Sequence, residues 1–459
     1  MSNITRRFSP AFWTANFAEL LERAAYYGVF IVITLYLSRI LAFDDIEAAA
    51  IAGTFSAMLY LLPTFAGAYA DKIGFKKSLL FAFTLLTLGY LGLGLLPTFI
   101  QGAGLAEYGV ETTFLGLEES NFRYAILPVM ALIILGGSFI KSVITGTVSL
   151  ETSEENRATG FSIFYTIVNI GAFSGKTIVK PLRDAMGNVG LINISFFSAG
   201  MTLLALVAVF FFFKPSVQKR EGKSFNEIWH AFIKVLGNAR LIILILIVTG
   251  FWLVQHQLYA TMPKYVLRMA GESASPSWYA NVNPLIVFST VGIVTSLMRR
   301  RSALYSMTVG MFIMPVSAFC MAAGNLFDGG AEMLGMHPIA FMMIVGIAFQ
   351  GLAESFISPR FLEYFSFQAP KGEEGLYLGF SHLHSFLSSI LGFLMSGFLL
   401  DKYCPDPVKF GGRTAEWVEA SSHAHYIWYY FGAIATVSAI ALIVYGRVYK
   451  SDPQDIKGA

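Results

Sequence analysis

Residues Asn16–Gly28 read NFAELLERAAYYG and pass without a break into the apolar Val29–Ile33. The surrounding run, near residues 11–40, is long enough to cross a bilayer as a helix, which takes about 20 apolar residues. Within it Glu19, Glu22, Arg23, Tyr26 and Tyr27 fall at i, i+3, i+4, i+7 and i+8, so all five share one helical face. A charge at membrane depth costs roughly 2.5–3.5 kcal/mol on insertion scales and marks a functional site facing a polar interior. Glu19 stands four residues before Arg23, the favourable order for a helical ion pair. A purely structural pair needs one acid. The second acid lets one carboxylate take a proton while the other stays paired.

The rest of the chain suits such a helix. Of its 459 residues 55% are hydrophobic and only 13% charged, with mean hydropathy +0.61, whereas a soluble domain carries about 25% charged residues. The chain therefore reads as a polytopic helical membrane protein. A net charge of +3 gives nucleic-acid binding no support. Cys320 and Cys404 make no disulfide framework. Arg6 and Arg7 lead straight into a full-length span, so no cleavable signal peptide is expected.

Apolar runs of spanning length recur near 11–40, 46–70, 77–98, 124–149, 157–180, 189–213, 239–267, 278–298, 304–324, 337–362, 374–401 and 424–448. The polar segment Lys214–Arg240 divides them six and six. An even number of spans puts both termini on one side. That side, with the linker and Arg299–Arg301, holds about twice the Lys and Arg of the other and is expected to be cytoplasmic. In the linker, Ser224 and Glu227 before Ile228, Trp229 and Phe232 predict a capped amphipathic helix lying along the membrane face. The longer outer loops, near 99–123 and 402–423, show no chemistry. Two bundles of six predict a site between them near the midplane.

Further polar residues fall inside the spans. Lys141 follows Gly136 and Gly137 and lies more than two helical turns before Glu151, so it needs a carboxylate partner, which the first helix can supply. Tyr165 and Asn169 are one turn apart. Lys176, Lys180 and Arg183 read as a basic stripe at the membrane interface. Gln255, His256 and Gln257 are three consecutive polar residues at membrane depth, and the imidazole is one that titrates near neutrality. Pro284 is expected to bend the eighth span. Glu354 is a further buried acid before Ser358-Pro359, with a turn at Ala369–Gly375 beyond. His382 and His384 are two apart and face different sides, which is poor metal-ligand spacing.

These residues together resemble the proton-coupled oligopeptide transporter family of the major facilitator superfamily. The family's E-x-x-E-R motif with two tyrosines and a glycine matches Glu19, Glu22, Arg23, Tyr26, Tyr27 and Gly28. Its second-helix tyrosine, eleven residues before the loop aspartate Asp71, matches Tyr60. Its fourth-helix lysine after a glycine pair matches Lys141, and its F-Y-x-x-x-N-x-G matches Phe164–Gly171, which brings in Asn169. Its F-W pair and later glutamine match Phe251, Trp252 and Gln257. Its N-P-L matches Asn283–Leu285, and its tenth-helix glutamate before S-P matches Glu354. The chain departs from the family at Phe30, where peptide carriers have a second arginine associated with the peptide carboxylate. It departs again at His256, an acid in the family, at Ser142, at Arg360, and in a linker too short for the two extra helices of many bacterial members.

The sequence is thus read as an all-α membrane protein of twelve transmembrane helices in two six-helix bundles of the major facilitator fold. The bundles are residues 1–213 and 239–459, joined by a cytoplasmic linker with an amphipathic helix at 214–238. The resemblance implies a proton-coupled symporter importing a small polar solute, a di- or tripeptide or a peptide-like zwitterion. The alternative is a carrier of a non-peptide solute, such as an organic anion or nitrate, or an exporter, because of Phe30. Proton coupling is expected at Glu19, Glu22, Arg23, Lys141 and Glu354. The solute is expected at Tyr26, Tyr27, Tyr60, Lys141, Asn169, Trp252, His256, Gln257, Asn283 and Glu354. No nucleophile–base set or metal constellation speaks for an enzyme. No cofactor is expected, and the partners are the solute and the bilayer of a bacterial-type inner membrane, around a monomer.

Overall fold

The computed structural model describes residues 8–153, 156–214, 225–327, 332–368 and 379–449. The expected cap at Ser224 and turn at Ala369–Gly375 lie outside them. Among the described residues the architecture is helical apart from one small hairpin. In chain order the helices of the first half are α1 (Pro10–Phe30), α2 (Ile33–Arg39), α3 (Asp45–Leu61), α4 (Pro63–Ile73), α5 (Phe75–Gly102), α6 (Ile126–Leu150), α7 (Arg157–Met186) and α8 (Asn188–Phe212). Those of the second half are α9 (Phe225–Leu236), α10 (Ala239–Gln255), α11 (Gln257–Ala260), α12 (Met262–Ala270), α13 (Pro276–Tyr279), α14 (Val282–Met298), α15 (Ala303–Ala323), α16 (Pro338–Phe367), α17 (Leu383–Tyr403), α18 (Ala415–Ala420) and α19 (Tyr426–Val448).

Among the described residues ten helical stretches are long and apolar enough to cross a membrane, and the bent pair α1–α2 makes an eleventh. At 30 residues, or ~45 Å at 1.5 Å per residue, α7 has the length for a twelfth. Asn169, Lys176, Lys180 and Arg183 make it less apolar than the rest.

Local chemistry explains the boundaries. Ser9 caps α1, its hydroxyl accepting from the Phe12 amide at 3.1 Å, and Pro10 supplies the first helical residue. The α1–α2 axis bends by 46° where Ile31, Val32, Ile33 and Thr34 form a β-branched run of lowered helix propensity. Pro284 lies in the first turn of α14, where a helix has no bond to lose to the missing N–H. It therefore marks the helix start and does not bend its middle.

The chain divides into two compact units, Met1–Phe43 with Met58–Trp229, and Asp44–Ala57 with His230–Ala459. In the first unit the loop after α5 is more ordered than the sequence suggested. Strands β1 (Ala106–Tyr108) and β2 (Thr112–Phe114) pair antiparallel. The Tyr108 hydroxyl donates to the Ile40 carbonyl at 2.8 Å, and burial raises its pKa above the ordinary tyrosine range, so it stays a donor. Arg123 donates to the Ala42 carbonyl at 3.1 Å and lies over the Phe43 ring. Together they hold Ala42 in a left-handed conformation, φ 59°, that alanine rarely adopts.

In the second unit, most of α3 is anchored by ions and hydroxyls. Asp45 Oδ1 accepts from Lys264 Nζ at 2.7 Å and from Arg268 Nη2 at 2.9 Å, while its Oδ2 takes Arg268 Nη1 at 2.8 Å. Arg268 also reaches Asp406 Oδ2 at 2.8 Å and the Cys404 carbonyl at 2.7 Å. Lys264 and Arg268 are four apart on α12 and so share a face. Further along α3, the hydroxyls of Ser56 and Ser389 meet at 2.9 Å.

Candidate functional site

On α1 the predicted face forms. Glu19 and Glu22 are buried, and Arg23 between them takes both. Its Nε lies 3.1 Å from Glu19 Oε1 and its Nη2 2.5 Å from Glu22 Oε2. Glu19 Oε2 is buried with no hydrogen-bond partner among the described residues. The Arg23 guanidinium also stands 5.5 Å from the Tyr26 ring centroid, and Phe30 stacks on that ring at 5.1 Å. An aromatic ring thus occupies the position where the family carries its second arginine. Lys141 is in no ion pair with either acid. Its ammonium lies 5.2 Å above the Tyr60 ring, a cation–π contact.

The close approach of α7 to α1 fixes where Arg23 points. A methyl group added at Gly171 would stand 2.6 Å from the Leu20 carbonyl oxygen and 2.7 Å from Arg23 Cβ, and Gly175 presses on the Ala24 backbone. Small residues at such crossings let membrane helices pack backbone to backbone. The Asn169 side chain, two residues before Gly171 and so on the other side of α7, donates to the Tyr165 carbonyl at 2.8 Å. The basic stripe predicted on α7 does not form as one surface. Lys180 pairs with Asp184, but Lys176 turns inward, 2% exposed, with its ammonium 5.4 Å from the Tyr27 ring centroid. The helix runs on to Met186, so Lys176 lies deeper than a span ending near 180 implies.

The second unit gathers its polar residues around Glu354 of α16. Glu354 Oε2 accepts from Gln255 Nε2 at 2.9 Å and from Asn283 Nδ2 at 3.3 Å. Trp252, one turn before Gln255, stacks on His384 at 5.3 Å with the rings 13° apart. His256 turns elsewhere, to the Ser388 hydroxyl at 3.2 Å. Gln257 is used up in packing. It donates to the Leu253 carbonyl at 2.7 Å and the Gly392 carbonyl at 3.2 Å, and accepts from Thr261 at 2.6 Å. Gln255, noted in the sequence as polar at membrane depth but not placed at the solute, is the glutamine beside the acid. No group of three or more metal-ligating side chains occurs among the described residues.

Membrane-length helices with buried acids and bases on their inner faces are the architecture of a transporter, an integral membrane protein. The chain belongs to the Major Facilitator Superfamily, whose family model matches residues 15–336. Dipeptide and tripeptide permease B of Shigella dysenteriae serotype 1 (strain Sd197) is 23% identical over 432 residues, 84% of this chain and 86% of that protein. A structure from work on substrate recognition in proton dependent oligopeptide transporters superposes with a TM-score of 0.70 at 18% identity, over 98% of this chain and 99% of that one. A POT family transporter in complex with 5-aminolevulinic acid gives a TM-score of 0.72 at 16% identity, over 96% of each chain. The resemblance read from the motifs is borne out over most of the chain's length.

Proposed function

We propose that the protein is a proton-coupled symporter that imports a small amphoteric solute, foremost a di- or tripeptide, by alternating access. The observation that carries this is the pair of buried carboxylates sharing the single guanidinium of Arg23, with Glu19 Oε2 unbonded. A proton on one acid leaves the other still paired, so the site can load and release a proton without losing its fold. In this reading Arg23 and Lys141 meet the anionic end of the solute. Glu354, held by Gln255 and Asn283, meets its amine, and Tyr26, Tyr27, Tyr60 and Asn169 supply polar contacts. Proton and solute drive transport together only if both favour the same conformational state.

The chain works in a bacterial-type plasma membrane as a monomer, with both termini cytoplasmic and the proton gradient as its energy source. The Lys and Arg excess of the inner loops supports the orientation, and the bacterial permease relative supports the membrane. One observation favours a non-peptide amphoteric solute as the second reading. Phe30, stacked on Tyr26, offers no charge where the family's peptide carriers have arginine.

The test is uptake into proteoliposomes under an imposed pH gradient, with dipeptides and non-peptide anions compared. Glu22→Gln is expected to abolish proton-driven uptake and spare counterflow exchange. Equal loss of both makes Glu22 a structural residue.

A further inference from the structure

Glu19 lies nine residues along α1 from Pro10, ~14 Å at 1.5 Å per residue, and its side chain is buried. An acid that exchanges a proton at that depth needs a route to water. Three buried polar atoms of α1 have no hydrogen-bond partner among the described residues: Trp13 Nε1, Asn16 Oδ1 and Glu19 Oε2. They fall at i, i+3 and i+6, so each residue is the next one's neighbour on the helix surface, with Cβ atoms about 5–6 Å apart. Each side chain is held. Phe8 and Phe12 meet the Trp13 ring edge-on, at 6.2 and 5.4 Å. The Asn16 amide nitrogen donates to the Phe12 carbonyl at 2.8 Å. That carbonyl can only accept, so Oδ1 is the atom left over. Glu19 Oε1 is taken by Arg23. One turn before Trp13 stands Ser9, whose hydroxyl donates to Glu151 Oε2 at 2.6 Å where α1 begins.

Resting on the symporter reading, we infer that this row is the proton route between Glu19 and the N-terminal end of α1, with Trp13 and Asn16 positioning the waters that carry the proton. A buried polar atom left unbonded costs about 1–3 kcal/mol, and native proteins keep few of them. A gap of about 5–6 Å is too long for a direct bond and suits one bridging water. The water between Trp13 and Asn16 accepts from the indole N–H and donates to Oδ1. The water between Asn16 and Glu19 donates to Oδ1 and meets Glu19 Oε2. In the transfer the O–H bond on Glu19 breaks and one forms on that water, which passes one of its own protons to the next. Each water ends as water, and Glu19 ends as a carboxylate paired with Arg23. The indole and the amide exchange no proton, so both act by position alone. Glu19 is then the acid that hands the proton on, and Glu22 holds Arg23 while Glu19 is protonated. Without Glu22, Glu19 must stay ionised to hold the guanidinium. With the N-terminus cytoplasmic, the row is the release route.

The experiment measures alanyl-alanine transport in proteoliposomes in two modes, uptake driven by an imposed pH gradient and counterflow exchange, which cycles the loaded carrier without proton release. Asn16→Leu is expected to slow driven uptake about tenfold, the rate equivalent of one ordinary hydrogen bond, and to leave exchange within about twofold of wild-type. Asn16→Ser keeps a hydroxyl that holds water and should recover most of the driven rate. Trp13→Phe keeps a ring and loses the N–H, and should slow driven uptake about threefold with exchange intact. An Asn16→Leu protein that keeps wild-type driven uptake, or loses both modes equally, overturns the inference and leaves the symporter reading standing. So does Asn16→Ser protein no faster than Asn16→Leu. If Asn16→Leu does not fold, Trp13→Phe decides, and unchanged driven uptake or equal loss of both modes there overturns it. Wild-type protein that accumulates no alanyl-alanine under the gradient overturns the symporter reading for this solute and this inference with it.

Discussion

On α1 two carboxylates share one guanidinium, and at the start of α3 one carboxylate is shared by a lysine and an arginine. The carboxylates of both are buried. Around Asp45 both carboxylate oxygens are bonded, and Arg268 passes its remaining reach to Asp406 and a backbone carbonyl, so two cations meet two acids. Around Arg23 one carboxylate oxygen has no partner and the acids outnumber the cation that holds them. In the function proposed above, this difference in charge balance separates a clamp from a titratable site. A closed set gains nothing from a proton, whereas an open one can accept it and keep an ion pair.

The sharpest way to break this comparison is to remove one acid from each cluster. Asp45→Asn leaves Lys264 and Arg268 facing a neutral amide, and an unpaired buried charge costs about 3–5 kcal/mol. Glu22→Gln leaves Arg23 paired with Glu19, and its stability should stay within about 1 kcal/mol of wild-type, the range of ordinary hydrogen-bond exchange. Unfolding in detergent, followed by thermal midpoint or denaturant titration, measures both. Two variants of equal stability would show that charge balance does not distinguish the clusters.

A smaller effect is expected from moving Arg23 without touching its charge. The methyl of Gly171→Ala would collide with the Leu20 carbonyl and Arg23 Cβ, and such overpacking costs about 1–3 kcal/mol. Uptake per folded protein should fall with it, because the displaced backbone carries the guanidinium away from its two acids. Gly200 of α8 has nothing within 4 Å of an added methyl, so Gly200→Ala should be neutral or stabilise by up to about 1 kcal/mol. Similar losses at both positions would mean that α7 does not position Arg23.

The two clusters were not equally legible in the sequence. The α1 acids stand out because they interrupt an apolar run at helical spacing and their partner is four residues away. Asp45 opens a helix, where an acid is ordinary, and Lys264 stands 219 residues along the chain from it. Helical periodicity carries no information across that distance. The only local hint was the pairing of Lys264 with Arg268, two cations one turn apart at the end of an apolar span. Lys176 was misread for a related reason. A span taken to end near residue 180 puts it at the interface, but α7 continues to Met186. The membrane class needed only run length and composition; the count of twelve did not follow from them alone, since ten stretches and one bent pair qualify among the described residues and α7 joins them by length only.

The glutamines of the second unit show where a motif's spacing stops being a guide. Family spacing points to Gln257, but Gln255 and Gln257 are two residues apart with His256 between them in right-handed helical conformation, about 200° around the axis, so they face opposite sides. Gln255 stays in step with Trp252, one turn back, and reaches Glu354. Gln257 faces the other way and spends its amide on Leu253, Gly392 and Thr261. Truncating each should therefore do different things. Gln255→Ala removes one of the donors to Glu354, and a net hydrogen bond to a charged group contributes about 1.5–3 kcal/mol. Some of that is recovered by water in an open site. KM for an amine-bearing solute should change by about three- to tenfold, with the thermal midpoint nearly fixed. Gln257→Ala strands buried groups within the helix packing and should lower the thermal midpoint while leaving KM nearly unchanged. The reverse pattern would return the acid's partner to the residue the motif names, and with it the polar arrangement that sets this unit apart from the charge-rich face of α1.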